Sequence, residues 1–138
     1  MERLEQMFQL QRELQMRLDT PLVGDGLRAR GLAISDATPG ELADLTKWHK
    51  EFSLALMMEA SELQDWIPWK HWSKQLGNKQ DVPQFSEHHR HEVTMEIVDC
   101  FHFLINISLM WGITPSQLFD IFSTKNEINH ARQNSGSY

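Results

Sequence analysis

Apolar residues return at helical spacing along most of this chain. Over residues 2–18, Leu4, Met7, Phe8, Leu14 and Leu18 share a face, which predicts a first helix that Thr20-Pro21 ends. The pattern lapses over residues 21–37, which hold Gly24, Gly26 and Gly31, so a loop with a few docked apolar residues is expected there. Thr38-Pro39-Gly40-Glu41 is a capping box with proline at the first helical position. It opens a long helix through Trp48, Phe52 and Leu56 to about residue 66, ahead of Pro68. Residues 68–76 (PWKHWSKQL) are short, aromatic and basic, and 77–83 read as a turn or exposed loop. A second long helix starts near Ser86, is almost wholly apolar after Ile97, and closes at Gly112. Thr114-Pro115-Ser116-Gln117 is another capping box, flanked by Ile113 and Leu118 as a hydrophobic staple. The last helix runs to about residue 132, and residues 133–138 are expected to be irregular. No segment reads as a strand. The pattern predicts one all-α domain over residues 1–138, a bundle of four to five helices built on two long ones.

Composition narrows the classes of function. A length of 138 residues suits a single core, and a net charge of −6 argues against a nucleic-acid partner. An anionic small substrate stays open, because bound metal inverts the local sign. The one cysteine, Cys100, excludes an intrachain disulfide and points to a reducing, cytoplasmic setting. The polar N-terminus shows no signal-peptide pattern, so none is expected. The apolar run 97–111 is short for a membrane span and holds His102, Asn106 and Ser108, so it reads as a core helix without a membrane partner.

Two acidic pairs interrupt the two most apolar helices. Glu59 and Glu62 sit among Leu56, Met57, Met58 and Leu63; Glu96 and Asp99 open the second long apolar run. Residues three apart on a helix lie about 60° apart, so each pair shares a face. Apolar surroundings disfavour lone carboxylates, and helices laid side by side would gather all four. One such pair is commonplace as a solvated stripe; two on the most apolar helices point to a hard divalent cation, magnesium or manganese, held by oxygen ligands. Glu92, one turn before Glu96, reads as a further ligand, an acid behind the ligands, or an exposed residue.

Other polar groups admit two readings each. Lys125, Asn129 and Arg132 share one face of the last helix, which suits phosphate oxygens but is also favoured by the helix dipole. Trp66, Trp69 and Trp72 with Lys70 and Lys74 form a patch able to stack on a base or to close over the bundle. His88, His89 and His91 lack metalloprotease spacing and read as surface residues. His102 comes three residues after Asp99 and is either a donor on the acidic face or a core histidine.

Together these segments resemble a known family. ExxE on one helix and ExxD on the next is similar to the magnesium motif of the all-α, MazG-like nucleoside triphosphate pyrophosphohydrolases. Within that superfamily the chain resembles the dimeric dUTPases. Residues 10–14 (LQREL) are similar to an N-terminal LQxxL, and residues 70–74 (KHWSK) to a KWWK-like segment. Residues 96–103 (EIVDCFHF) match ExxDxxHF, and residues 125–138 match KNxxNxxRQxxGxY. The resemblance implies that Glu59, Glu62, Glu96 and Asp99 hold the metals. It further implies that Lys125, Asn129, Arg132 and Tyr138 bind phosphates, and that Gln11, Trp72, Lys74, His102 and Asn126 meet the substrate. The chain departs from the family pattern at Gln15, where the family has asparagine, and at His71, where it has an aromatic.

The activity implied by the resemblance is magnesium-dependent hydrolysis of dUTP, and of dUDP, to dUMP by a homodimer; a carboxylate not fully engaged with metal, read here as Glu62, is expected to take the proton from the attacking water. Three alternatives stand beside it. They are a dCTP hydrolase, a broad MazG-type nucleotide hydrolase, and a catalytically silent helical interaction module.

Overall fold

The computed structural model describes residues 2–70, 72 and 82–136. The described chain is all-α, with α1 (Arg3–Arg17), α2 (Val23–Ala29), a 3-10 turn (Ile34–Asp36), α3 (Pro39–Gln64), α4 (Glu87–Met110) and α5 (Pro115–Ser135). No strand occurs among the described residues.

Both expected capping boxes form. Thr38 Oγ1 accepts from Glu41 N and Glu41 Oε1 accepts from Thr38 N, each at 3.1 Å. Thr114 and Gln117 exchange the same bonds at 3.0 and 3.1 Å. Gly112, at φ 69°, lets the chain leave α4, and Ile113 N donates back to Ser108 O at 2.9 Å.

The segment expected as loop, residues 21–37, folds instead into α2 and the 3-10 turn. The reason is tertiary. Val23 and Leu27, one turn apart, are buried against Leu45, Phe52 and Met110. Asp25 on the same short helix takes two bonds from the Arg12 guanidinium, at 2.7 and 3.0 Å, and one from Arg28 at 3.2 Å. Burial opposes ionisation of Asp25, yet the two arginines outweigh it and hold the carboxyl below its usual range. Gly24 lies against the end of α4 so closely that a Cβ there would collide with the backbone of Trp111 and Gly112. A helix with two glycines in seven residues has weak intrinsic propensity, so these contacts form it.

The two long helices, α3 and α4, pack along each other, while α1 and α2 cover one side of α4. Phe8 of α1 is buried against Ile105 and Leu109. At the other end, His89 ties the pair together. Sequence places it at the surface, but it is buried, with Nε2 donating to Trp66 O at 2.6 Å and Nδ1 accepting from Phe85 N at 2.7 Å. That pattern fixes the neutral Nε2–H form and clamps the end of α3 to the start of α4.

Helix α4 is longer than the apolar run read from sequence. By length and composition alone it meets the requirement for crossing a membrane. Among the described residues, helix α5 packs against one other helix, α1.

Candidate active site

The α3–α4 contact brings acids from the two helices together. One oxygen each of Glu59, Glu96 and Asp99 lies within 4.8 Å of the others, all three residues half-buried. Glu62, one turn along α3, stands outside this group, and its charge acts on Glu59. Burial first, then the adjoining Glu96 carboxyl and the charges of Glu62 and Asp99, push Glu59 up from 4.5 to about 7. Burial, and after it the charges of Glu59, Glu96 and Asp99, raise the Cys100 thiol one residue beyond Asp99. Glu59 Oε2 and Glu96 Oε2 are buried without a hydrogen-bond partner. No ion pair among the described residues involves any of the four acids. Crowded carboxylate oxygens with no cationic side chain beside them fit a hard divalent cation.

A cavity of about 470 Å³ opens beside these acids. Glu59 and Asp99 stand on its wall together with His102, and Trp48, Phe52 and Phe103 give it aromatic surface. The ring centroids of Trp48 and Phe52 are 5.4 Å apart, and those of Phe52 and Phe103 6.3 Å. Gln11 from α1 and Asn106 from α4 also line it, with Gln11 Nε2 donating to Asn106 Oδ1 at 2.7 Å. Gln15, where the family pattern has asparagine, is buried and its Oε1 accepts from Thr20 Oγ1 at 2.8 Å.

Three of the four expected carboxylates therefore meet, and Gln11 and His102 reach the same cavity. Trp72 does not line it. It is exposed and edge-on to Trp69, with centroids 5.9 Å apart. Lys125, Asn126, Asn129 and Arg132 are exposed on α5 and do not line it either. Lys74 and Tyr138 lie outside the described residues. Glu92 is half-buried, 3.3 Å from His88 and outside the acidic group.

Sequence reasoning misses Asn106 and the aromatic wall. Asn106 is seven residues beyond Asp99, two turns along the same face of α4, and that spacing is the available signal. Trp48 and Phe52 read only as core positions of α3.

A family model described as dUTPase matches residues 3–116. A dCTP pyrophosphatase of Enterobacteria phage LZ5 is 30% identical over 142 residues, covering 96% of this chain and 81% of that protein. A dCTP pyrophosphatase of Enterobacteria phage T4 is 30% identical over 70 residues, covering 49% of this chain and 41% of that protein. No solved structure matches significantly. With an all-α bundle, paired acids on its two long helices and a family match over most of its length, the chain belongs to the dUTPase family of nucleotide pyrophosphatases.

Proposed function

We propose that this chain hydrolyses dUTP to dUMP and pyrophosphate, and dUDP to dUMP and phosphate. The observation that carries the reading is the continuity of one cavity. Its aromatic and amide walls suit a pyrimidine, and its acidic wall suits the metal-bound phosphates. The same pocket hydrolysing dCTP is the second reading, favoured by the names of the two phage relatives.

Glu59, Glu96 and Asp99 hold magnesium, for which manganese substitutes, with Glu62 beside them. Held there, such an ion would supply charge neutralisation for the phosphates and a lowered pKa for a bound water. Glu62, outside the three-carboxylate group, takes the proton from that water. Phe52, Trp48 and Phe103 exclude solvent around the base, Gln11 meets its polar edge, and His102 donates at the mouth. Lys125, Asn126, Asn129 and Arg132 hold the departing phosphates.

Those α5 donors stand on a helix that does not pack on α3 or α4 within the chain. Helix α5 also exposes Phe119, Ile121 and Phe122, and α4 exposes Ile97, Phe101 and Leu104. Apolar surface on that scale calls for a cover, and we propose that a second copy provides it in a homodimer.

Initial rates of pyrophosphate release, measured with magnesium for each deoxynucleoside triphosphate, test the reading. The expected result is turnover of dUTP, or of dUTP and dCTP, with purine nucleotides at least about 100-fold slower. Equal rates for purines and pyrimidines would overturn the pocket assignment.

A further inference from the structure

Asn106 is 1% exposed in the most apolar part of α4, where asparagine is a poor helix former and its burial is costly. Its Oδ1 is satisfied by Gln11 Nε2 at 2.7 Å, and its own amide nitrogen has no partner among the described residues. Both residues line the cavity. Seven residues at 1.5 Å place Asn106 about 10.5 Å along α4 from Asp99, so the part of the wall it lines is set back from the acids. A base reaching that part, with its phosphates on the acidic wall, meets two amides rather than one.

We propose that Asn106 is a specificity-determining residue that works with Gln11 as one reversible amide pair, reading uracil and cytosine alike. This deepens the pyrimidine reading of the cavity and rests on it. In the state observed, Gln11 donates to Asn106, which leaves the Gln11 Oε1 acceptor and the Asn106 Nδ2 donor for a ligand. Acceptor then donor matches N3–H and O4 of uracil. Turning both amides by 180° keeps the bond between them, now Asn106 Nδ2 to Gln11 Oε1. It presents donor then acceptor, which matches N3 and N4–H2 of cytosine in the same pose. The exchange needs no change in cavity shape, because an amide's nitrogen and oxygen are nearly isosteric. Phe52 and Phe103 contact both bases alike and do not choose between them.

Two substitutions remove the exchange. Asn106→Asp makes position 106 acceptor-only, so Gln11 is held donating to it and turns Oε1 to the ligand. Gln11→Glu makes position 11 acceptor-only, so Asn106 is held donating to it and turns Oδ1 to the ligand. Each variant offers two acceptors, which loses one bond with uracil at O4 and one with cytosine at N3. Wild-type kcat/KM values for dUTP and dCTP are expected within about 10-fold of each other. At pH 8 each variant is expected to lower kcat/KM for both triphosphates by about 10-fold or more, with the dCTP/dUTP ratio within about threefold of wild type. Circular dichroism melts check that each variant folds. A folded variant that keeps wild-type kcat/KM for either triphosphate overturns the amide pair. If neither variant folds, the wild-type ratio decides, and a preference above about 100-fold for either base overturns the proposal. A wild-type protein that turns over neither triphosphate instead overturns the pyrimidine reading beneath it.

Discussion

Glu59→Gln should make the metal-free protein more stable at pH 8, even though it removes a residue assigned to metal binding. In the folded chain Glu59 titrates at about 7 rather than 4.5. At 1.36 kcal/mol per pH unit this sets a ceiling of about 3.4 kcal/mol on the cost of ionising it there. Glu59 is only half-buried, and solvent screening reduces the figure to about 1–2 kcal/mol. Below pH 4.5 the group is protonated folded and unfolded, and nothing is lost. Between 4.5 and 7 the unfolded chain ionises while the fold retains the proton, so stability falls as pH rises. Above 7 the full penalty is present. Glutamine matches the protonated acid in size and stays neutral, so it relieves the penalty only at the higher pH. Thermal melts in chelator at pH 8 should show Glu59→Gln higher by roughly 3–10 °C, shrinking towards zero at pH 4.5. Added magnesium should reverse the order, raising wild type and leaving the variant little changed. A variant less stable than wild type at pH 8 in chelator, or a gain that ignores pH, would refute the crowded-carboxylate account.

Glu96→Gln should fold normally and lose at least about 100-fold in magnesium-dependent turnover, read as kcat with dUTP or dCTP. Gly24→Ala should cost about 1–3 kcal/mol or more, seen as a lowered Tm, because the added methyl meets the Trp111–Gly112 backbone and Met110 O at 2.6 Å. Light scattering should give a dimer for the wild type, and Phe119→Asp with Phe122→Asp should shift it to monomer and lower turnover together. A fully active monomer would separate α5 from the site.

The parts of the molecule legible in the sequence are those encoded locally. Thr38-Pro39 and Thr114-Pro115 announce their helices because side chain and backbone three residues on satisfy each other. The two acidic pairs are legible because a carboxylate in an apolar helix needs a reason, and helical spacing places each pair on one face. Helix α2 is not, since Gly24 and Gly26 weaken it and its stability comes from Arg12, far back in the chain, and from the end of α4. His89 escapes for the same kind of reason. Its partners, Trp66 O and Phe85 N, are backbone groups that no side-chain pattern reveals. Asn106 acquires its partner, Gln11, and its place on the cavity wall only where α1 lies against α4. Trp72, singled out by its motif, stands beside Trp69 outside the cavity, while aromatics that read as core positions line it.

The most direct measurement of the central claim is product analysis. Phosphorus NMR of dUTP and of dCTP incubated with the protein and magnesium should show the nucleoside monophosphate and pyrophosphate appearing in equal amounts for at least one of them. No turnover should occur in chelator or with Glu96→Gln. Release of orthophosphate with a nucleoside diphosphate, or hydrolysis that persists in chelator or in Glu96→Gln, would contradict the assignment of Glu59, Glu96 and Asp99 as the metal-holding core of a nucleotide pyrophosphatase.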